Sequence, residues 1–174
     1  MSTITDTNSS FWNYLSQPQK DLILEGNYLI TEIIQDNKYG FKDYAFLVFP
    51  FAKAYEGFLK ELFKDIGYIS HLDYISDHLR LGKLMSPNLV GRLDGKSLYK
   101  QVKESTTKET ADRIWNTWKE GRNQITHYYP HNYKAITFDE AKQIVGTIIQ
   151  TMEDAYAKLS PRILDRVSQP VISI

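Results

Sequence analysis

Three polar side chains fall close together in a helical segment whose other side is apolar: Arg122, Asn123 and His127. At about 100° per residue, Asn123 and His127 share one face and Arg122 lies on the neighbouring face. All three polar groups can therefore converge at one edge of the helix. A guanidinium stays protonated and binds anions through a planar fork, while an imidazole exchanges protons near neutral pH. The pattern predicts anion binding combined with proton transfer.

Arg122 also falls on the apolar face of its predicted helix. A stripe with helical spacing consists of Ala111, Trp115, Trp118, Arg122, Ile125 and Tyr129. Burying an unpaired guanidinium is costly, so a compensating feature is required. In one interpretation Arg122 reaches solvent and His127 lies at a frayed helix end. In the others Arg122 pairs with a carboxylate of the chain, for which Glu56 and Glu61 are candidates, or lines a groove formed with a second chain.

The segment Arg-Asn-Gln-Ile-Thr-His at 122–127 resembles the R-N-x-x-x-H motif of the HEPN superfamily. Its context is similar too, because Tyr and Pro follow the motif and a capped amphipathic helix begins near Thr137. The resemblance covers about residues 43–160. Within it, FPFAKAYEGFLKELF at 49–63 is similar to the corresponding helix of RNase LS type toxins, whose HEPN domain also contacts an antitoxin.

The HEPN resemblance implies an all-α fold and a metal-independent endoribonuclease of the toxin–antitoxin or antiviral defence type. Two copies of the motif would face each other across the two-fold axis of a homodimer and form one composite site. The 2′-hydroxyl of RNA would attack the adjacent phosphate, with His127 of the two copies as base and acid. Arg122 would stabilise the added negative charge, and Asn123 would position His127 or the phosphate.

The expected partners are RNA, a second copy of the chain and an antitoxin protein, and no cofactor or metal is expected. Two alternatives remain open. A HEPN-like module without cleavage would bind RNA or a protein partner. A purely structural helical oligomerisation protein would require Arg122 and His127 to be incidental.

Tyr129 is a candidate modification site by the same resemblance. His127-Tyr128-Tyr129 matches the H-x-Y extension of HEPN toxins paired with a nucleotidyltransferase antitoxin, in which the tyrosine receives AMP. The position of Tyr129 in the apolar stripe favours packing instead.

Other catalytic patterns are missing from the sequence. It contains no Gly-rich phosphate loop, no H-E-x-x-H zinc helix and no serine nucleophile elbow. His71 and His78 can share a helix face, yet no carboxylate pair completes a metal-binding set with them. His131 follows Pro130 in a predicted loop, and its spacing requires no role.

The apolar periodicity predicts an all-α, up-and-down bundle with four or five main helices. We expect one domain over 1–174, with a core at about 17–160 and a tail at 161–174. The predicted helices cover about 16–36, 43–66, 71–80, 96–104, 107–129 and 137–160. Capping boxes are predicted at Thr106 with Glu109 and at Thr137 with Glu140, while Gly67 and Pro130 end helices.

The composition favours a soluble, cytoplasmic protein. The sequence has no cysteine, which excludes disulfides and thiolate chemistry. No uncharged apolar run approaches the roughly 18 residues of a membrane span, and the N-terminus lacks the pattern of a secretion signal. The formal net charge is zero, which argues against a protein that coats nucleic acid nonspecifically.

Overall fold

The computed structural model describes residues 6–36, 39–127 and 135–167. Within these ranges the regular structure is helical and no strand is present, which confirms the predicted all-α fold class. No helix in the described part of the chain combines the length and apolar character needed to cross a membrane.

The α-helices follow one another along the chain with short connections. In chain order they are α1 (Ser10–Tyr14), α2 (Gln17–Asp36), α3 (Ala45–Asp65), α4 (His71–Tyr74), α5 (Leu81–Leu84), α6 (Val90–Leu93), α7 (Leu98–Ser105), α8 (Lys108–Trp118), α9 (Gln124–Thr126), α10 (Phe138–Leu159) and α11 (Pro161–Val167). A π-helical segment, Lys119–Asn123, joins α8 to α9. Single 3-10 turns, Pro87–Leu89 and Asp94–Lys96, precede and follow α6.

The helix predicted over 71–80 forms only as the single turn α4. Its start is a capping box, in which Ser70 and Asp73 each accept a backbone N–H of the other. Its early end has a local cause, because the Ser76 hydroxyl accepts the backbone N–H of His78 over 3.1 Å. Such side-chain turns compete with continued helix formation.

One of the two predicted capping boxes is confirmed and the other is wrong by one residue. At α10, Glu140 accepts the Thr137 N–H over 2.7 Å, and the Thr137 hydroxyl accepts the Glu140 N–H over 3.2 Å. At α8, the capping side chain is Thr107, whose hydroxyl accepts the Thr110 N–H over 3.2 Å. Thr106 is not the cap, because its hydroxyl donates back to the Val102 carbonyl of α7 over 2.7 Å.

The contacts within the chain divide it into two compact units. The first contains Met1–Phe58 and Asn116–Met152, and the second contains Leu59–Trp115 and Glu153–Ile174.

The core of the first unit is rich in aromatic rings. Phe58 meets the Phe11 ring edge-on at 5.7 Å, and Tyr55 lies against Trp118 at 6.4 Å. Gly26 allows α2 to approach closely, because a Cβ there would lie 2.4 Å from the Phe51 ring. These contacts hold α3 in place beside the segment that carries the Arg122 motif.

The start of α3 is tied to the segment before α10 within the same unit. The Asp43 carboxylate accepts the N–H groups of Ala45 and Ile136, over 3.0 and 3.2 Å. The Tyr44 N–H donates to the Ile136 carbonyl over 3.0 Å. Pro50 lies inside α3 and does not end it.

In the second unit, Gly67 ends α3 as predicted. Its φ of 82° lies in the left-handed region that glycine adopts readily. The Tyr68 N–H donates to the Phe63 carbonyl over 2.7 Å, and the Gly67 N–H donates to the Lys64 carbonyl over 3.0 Å. This pair of hydrogen bonds is a Schellman motif, which satisfies carbonyls at the helix end.

A hydrogen-bonded cluster joins α7 to α8 in the second unit. The Tyr99 hydroxyl donates to Asp112 over 2.6 Å, and the Lys108 ammonium donates to the other oxygen of Asp112 over 2.5 Å. Hydrogen bonding from Lys108, followed by that from Tyr99, holds the pKa of Asp112 below its usual value. Burial, together with the hydrogen bond to Asp112, raises the pKa of Tyr99.

Candidate functional site

The helix that carries the motif is not a continuous α-helix. The α-helical hydrogen bonding of α8 gives way to the π-helical segment at Lys119 and resumes as the short helix α9 after Asn123. A π segment inserts an extra residue per turn and so shifts the helical phase. The predicted continuous helix over 107–129 is therefore wrong in this region.

Gly121, rather than Arg122, takes the buried position in the π segment. Gly121 is buried, and a Cβ placed on it would lie 2.9 Å from Cδ1 and 3.0 Å from Cγ1 of Ile148 on α10. Glycine lets this turn approach α10 closely. The side chain of the next residue, Arg122, is 36% exposed. The predicted stripe is wrong at two positions, because Ile114 and Gly121 are buried in place of Trp115 and Arg122.

The Arg122 guanidinium has three described contacts. Nη2 lies 3.4 Å from the Glu56 carboxylate on α3, and Nη1 donates to Oδ1 of Asn123 over 3.2 Å. The Trp118 ring lies under the guanidinium, 5.1 Å from its central carbon to the ring centroid. These contacts orient the planar group and leave most of its N–H donors for solvent or an anionic ligand.

The ion pair with Glu56 compensates the charge of Arg122 only in part. The side chain of Glu56 is 27% exposed and that of Arg122 is 36% exposed, so water screens the attraction between them. Ion pairs at such positions contribute about 0–1 kcal/mol to stability. Of the two candidate carboxylates, Glu56 is the one that pairs with Arg122, and Arg122 is not shielded from solvent.

His127 follows α9 directly, in an exposed position. Its backbone is extended, with φ −98° and ψ 131°, so the helix ends before this residue. The Thr126 hydroxyl donates to the Arg122 carbonyl over 2.8 Å and closes the last turn. The last helical residue is thus Thr126, one residue before His127. Tyr129 and His131 lie outside the described residues.

A cavity of about 280 Å³ opens beside the Arg122 guanidinium. Its lining residues come from α3 and from the end of the motif segment: Phe49, Ala52, Lys53, Glu56, Arg122 and Thr126. Lys53 adds a second cation to this cavity. Phe49 is also exposed, with 56% of its surface accessible to solvent.

A shallower groove of about 420 Å³ shares Phe49 and Thr126 with this cavity and extends to Phe46. Phe46 belongs to a cluster of rings, in which its centroid lies 5.1 Å from that of Phe41 and 6.1 Å from that of Tyr44. Exposed aromatic faces thus continue from the Arg122 cavity along the start of α3.

The sequence did not point to Phe49 and Lys53 as site residues. They can be identified from their spacing relative to Glu56, because residues three, four and seven positions apart share a helix face. Once Glu56 is known to face Arg122, Lys53 and Phe49 follow on the same side of α3.

Comparison of the chain with protein-family models, with curated proteins and with solved structures found no match.

Proposed function

We propose that the chain is a metal-independent endoribonuclease of toxin or antiviral defence type, and that two copies of the Arg122 motif form its active site in a homodimer. The observation that carries the proposal is the partly exposed, oriented guanidinium of Arg122 beside a cavity. The HEPN-like motif adds an imidazole at His127, five residues further along the chain.

The proposed reaction needs only groups that the chain supplies. The 2′-oxygen of a ribose attacks the adjacent phosphorus and gives its proton to one His127 imidazole. The bond between phosphorus and the 5′-oxygen breaks, and the leaving oxygen takes a proton from the other His127. The products are a 2′,3′-cyclic phosphate and a 5′-hydroxyl. Arg122 binds the phosphate oxygens, on which negative charge increases during the attack.

The cavity beside Arg122 supports RNA as the substrate. Lys53 provides a second positive charge for the phosphate backbone. The exposed rings of Phe49 and Phe46 provide flat apolar surfaces of the kind on which unpaired bases stack. Phosphate and base can therefore be bound side by side.

A non-catalytic module that binds RNA or a protein partner is the second candidate, and the ion pair between Arg122 and Glu56 favours it. A carboxylate 3.4 Å from the guanidinium competes with a phosphate for the same donors. In this alternative Arg122 contributes to binding, and His127 transfers no proton.

The decisive experiment measures cleavage of a mixed-sequence single-stranded RNA by the full chain in the presence of a metal chelator. We expect products with 2′,3′-cyclic phosphate ends and no cleavage of DNA of the same sequence, which lacks the attacking hydroxyl. Arg122→Ala and His127→Ala are each expected to lower the cleavage rate at least about a hundredfold. Matched controls are Arg92→Ala and His71→Ala, which remove exposed residues of the same types elsewhere.

Light scattering and binding assays separate the alternatives. The composite site requires a dimer, so a species that stays at the chain mass of 20.2 kDa at micromolar concentration contradicts it. RNA binding by the wild type without cleavage, weakened by Arg122→Ala and unchanged by His127→Ala, supports the non-catalytic module instead.

A further inference from the structure

A second, larger cavity lies entirely within the second unit. Its volume is about 630 Å³, inside the range of roughly 300–1,000 Å³ typical of small-molecule sites. The segments from the end of α3 to α7 surround it. Its apolar lining comes from Ile69, Leu79, Leu84 and Leu93, and Tyr68 adds one aromatic ring.

Three cationic side chains line this cavity: Arg80, Lys83 and Lys96. Among the described residues, no carboxylate lies within ion-pair distance of any of the three. Within the described part of the chain, the Arg80 guanidinium donates to the Asp77 backbone carbonyl, over 3.5 Å. Like charges gathered around one concave surface repel one another until an anion binds among them.

Asp73 is the carboxylate among the lining residues, and its hydrogen bonds are made at the start of α4. It accepts the N–H and the hydroxyl of Ser70, over 3.0 and 2.7 Å. These hydrogen bonds hold the pKa of Asp73 below its usual value, and Lys96 contributes to the same effect. One carboxylate does not balance three cations, so the cavity is positively charged overall.

Hydrogen-bonding groups on the lining are suited to an organic ligand that carries polar groups of its own. The Tyr68 hydroxyl is held by the Gln101 carbonyl and the Ser105 hydroxyl, which fixes the ring in place. The Gln101 amide donates to the Gly95 carbonyl over 3.2 Å, and its amide oxygen remains an acceptor. The His78 imidazole also lines the cavity.

We propose that this cavity binds a nucleoside phosphate. Arg80, Lys83 and Lys96 hold the phosphate through charge-assisted hydrogen bonds, and the apolar lining with Tyr68 holds the nucleoside. The volume accommodates both parts, whereas inorganic phosphate would leave the apolar lining unused. This binding site does not depend on the ribonuclease proposed above, because Arg122 and His127 are not among its lining residues.

Isothermal titration calorimetry of the full chain with AMP, adenosine and inorganic phosphate tests the proposal. We expect AMP to bind saturably to one site per chain, at least about tenfold more tightly than adenosine or phosphate. Lys83→Gln and Lys96→Gln are each expected to weaken AMP binding by roughly tenfold, since each removes one charged contact to phosphate. Both lysine variants alter exposed side chains, and circular dichroism verifies their folding.

Two control variants make the outcome decisive. Arg92→Gln removes an exposed cation of the same unit that does not line the cavity, and it is expected to bind AMP as the wild type does. Arg122→Ala is also expected to bind AMP normally. The proposal is overturned if AMP does not bind, if adenosine or phosphate binds as tightly as AMP, if the lysine variants match Arg92→Gln, or if Arg122→Ala abolishes binding.

Discussion

The Arg122 guanidinium lies 3.4 Å from the Glu56 carboxylate, and both side chains keep part of their surface in solvent. This geometry holds the guanidinium in one orientation while water weakens the attraction. An entering phosphate therefore competes with a screened carboxylate rather than with a buried one. The same ion pair can set the affinity of the site for RNA.

Glu56→Gln is expected to strengthen RNA binding by about fivefold. An RNA phosphate then no longer has to displace the Glu56 carboxylate from Arg122, an exposed ion pair that contributes about 1 kcal/mol. Fluorescence anisotropy with a labelled single-stranded RNA measures the change. Glu120→Gln, an exposed carboxylate that makes no described contact with Arg122, changes the net charge equally and is the control. Equal effects of the two variants would show that net charge, rather than the pairing with Arg122, governs affinity.

Phe49→Ala is expected to weaken RNA binding by about 1–3 kcal/mol, the contribution of one base stacked on an aromatic ring. The effect on the free energy of unfolding should be small, since the ring is 56% exposed. Tyr28→Ala removes a ring that is 65% exposed on α2 and does not line the Arg122 cavity. Anisotropy titrations of both variants are compared with the wild type, and a loss of affinity in both would leave Phe49 without a specific role.

Local sequence signals predicted the ends of several helices correctly. The end of α3 at Gly67 could be predicted because the Schellman motif there involves only neighbouring residues. The start of α10 could be predicted for the same reason, since the capping box joins Thr137 to Glu140. The bounds of α2 and α3 follow from apolar periodicity, which reflects burial of one helix face.

The π segment could not be predicted in this way. Within it, Gly121 approaches Ile148, a residue that is distant in the sequence. The apolar pattern of the sequence does not show that Gly121, rather than Arg122, takes the buried position there. The catalytic roles of Arg122, Asn123 and His127, like the role of Tyr129, stay predictions from the motif.

Gly121→Ala is expected to lower the free energy of unfolding by about 1–3 kcal/mol, because the added methyl group overpacks against the fully buried Ile148. The same change should reduce RNA cleavage, since the π segment orients Arg122. Urea denaturation measures the stability of the variant.

Gly146→Ala is the matched control for this substitution. Gly146 lies inside α10, and a Cβ there has no neighbour within 4 Å. It is expected to stabilise the chain by about 0.5–1 kcal/mol through the higher helix propensity of alanine. Stabilisation by both substitutions would mean that the contact between Gly121 and Ile148 does not constrain the π segment.

Asp112 is expected to make the stability of the chain depend on pH. Its hydrogen bonds from Lys108 and Tyr99 lower its pKa in the folded state. The ionised carboxylate therefore makes its full contribution to the free energy of unfolding above the unfolded-state pKa of about 3.9, and this contribution is lost as the pH falls through the folded-state pKa. The difference in unfolding free energy between the wild type and Asp112→Asn should be constant near neutral pH and should shrink in acid. Urea denaturation over a pH series measures it.

Asp77→Asn serves as the control for the acid titration, because the Asp77 carboxylate makes no hydrogen bond or ion pair in the described part of the chain. Its stability difference from the wild type should show no comparable decline in acid. A difference for Asp112→Asn that persists unchanged at the lowest pH would contradict a role for the ionised carboxylate.

A buried pair of hydroxyls connects α8 to α10 just before the π segment. Thr117 and Thr151 lie 2.9 Å apart, with 4% and 1% of their surfaces exposed. Thr117→Val keeps the shape of the side chain but leaves the Thr151 hydroxyl buried without a partner, which costs about 1–3 kcal/mol. Thr151→Val should cost a similar amount.

The double variant Thr117→Val with Thr151→Val removes both hydroxyls and should be closer to the wild type in stability than either single variant. Urea denaturation of the four proteins gives the coupling energy between the two positions. If the two single losses simply add, the hydroxyls do not interact, and the alignment of α8 with α10 must come from the apolar contacts alone. If they are coupled, the hydrogen bond helps fix the position along α10 at which Gly121 meets Ile148, and hence the place of Arg122.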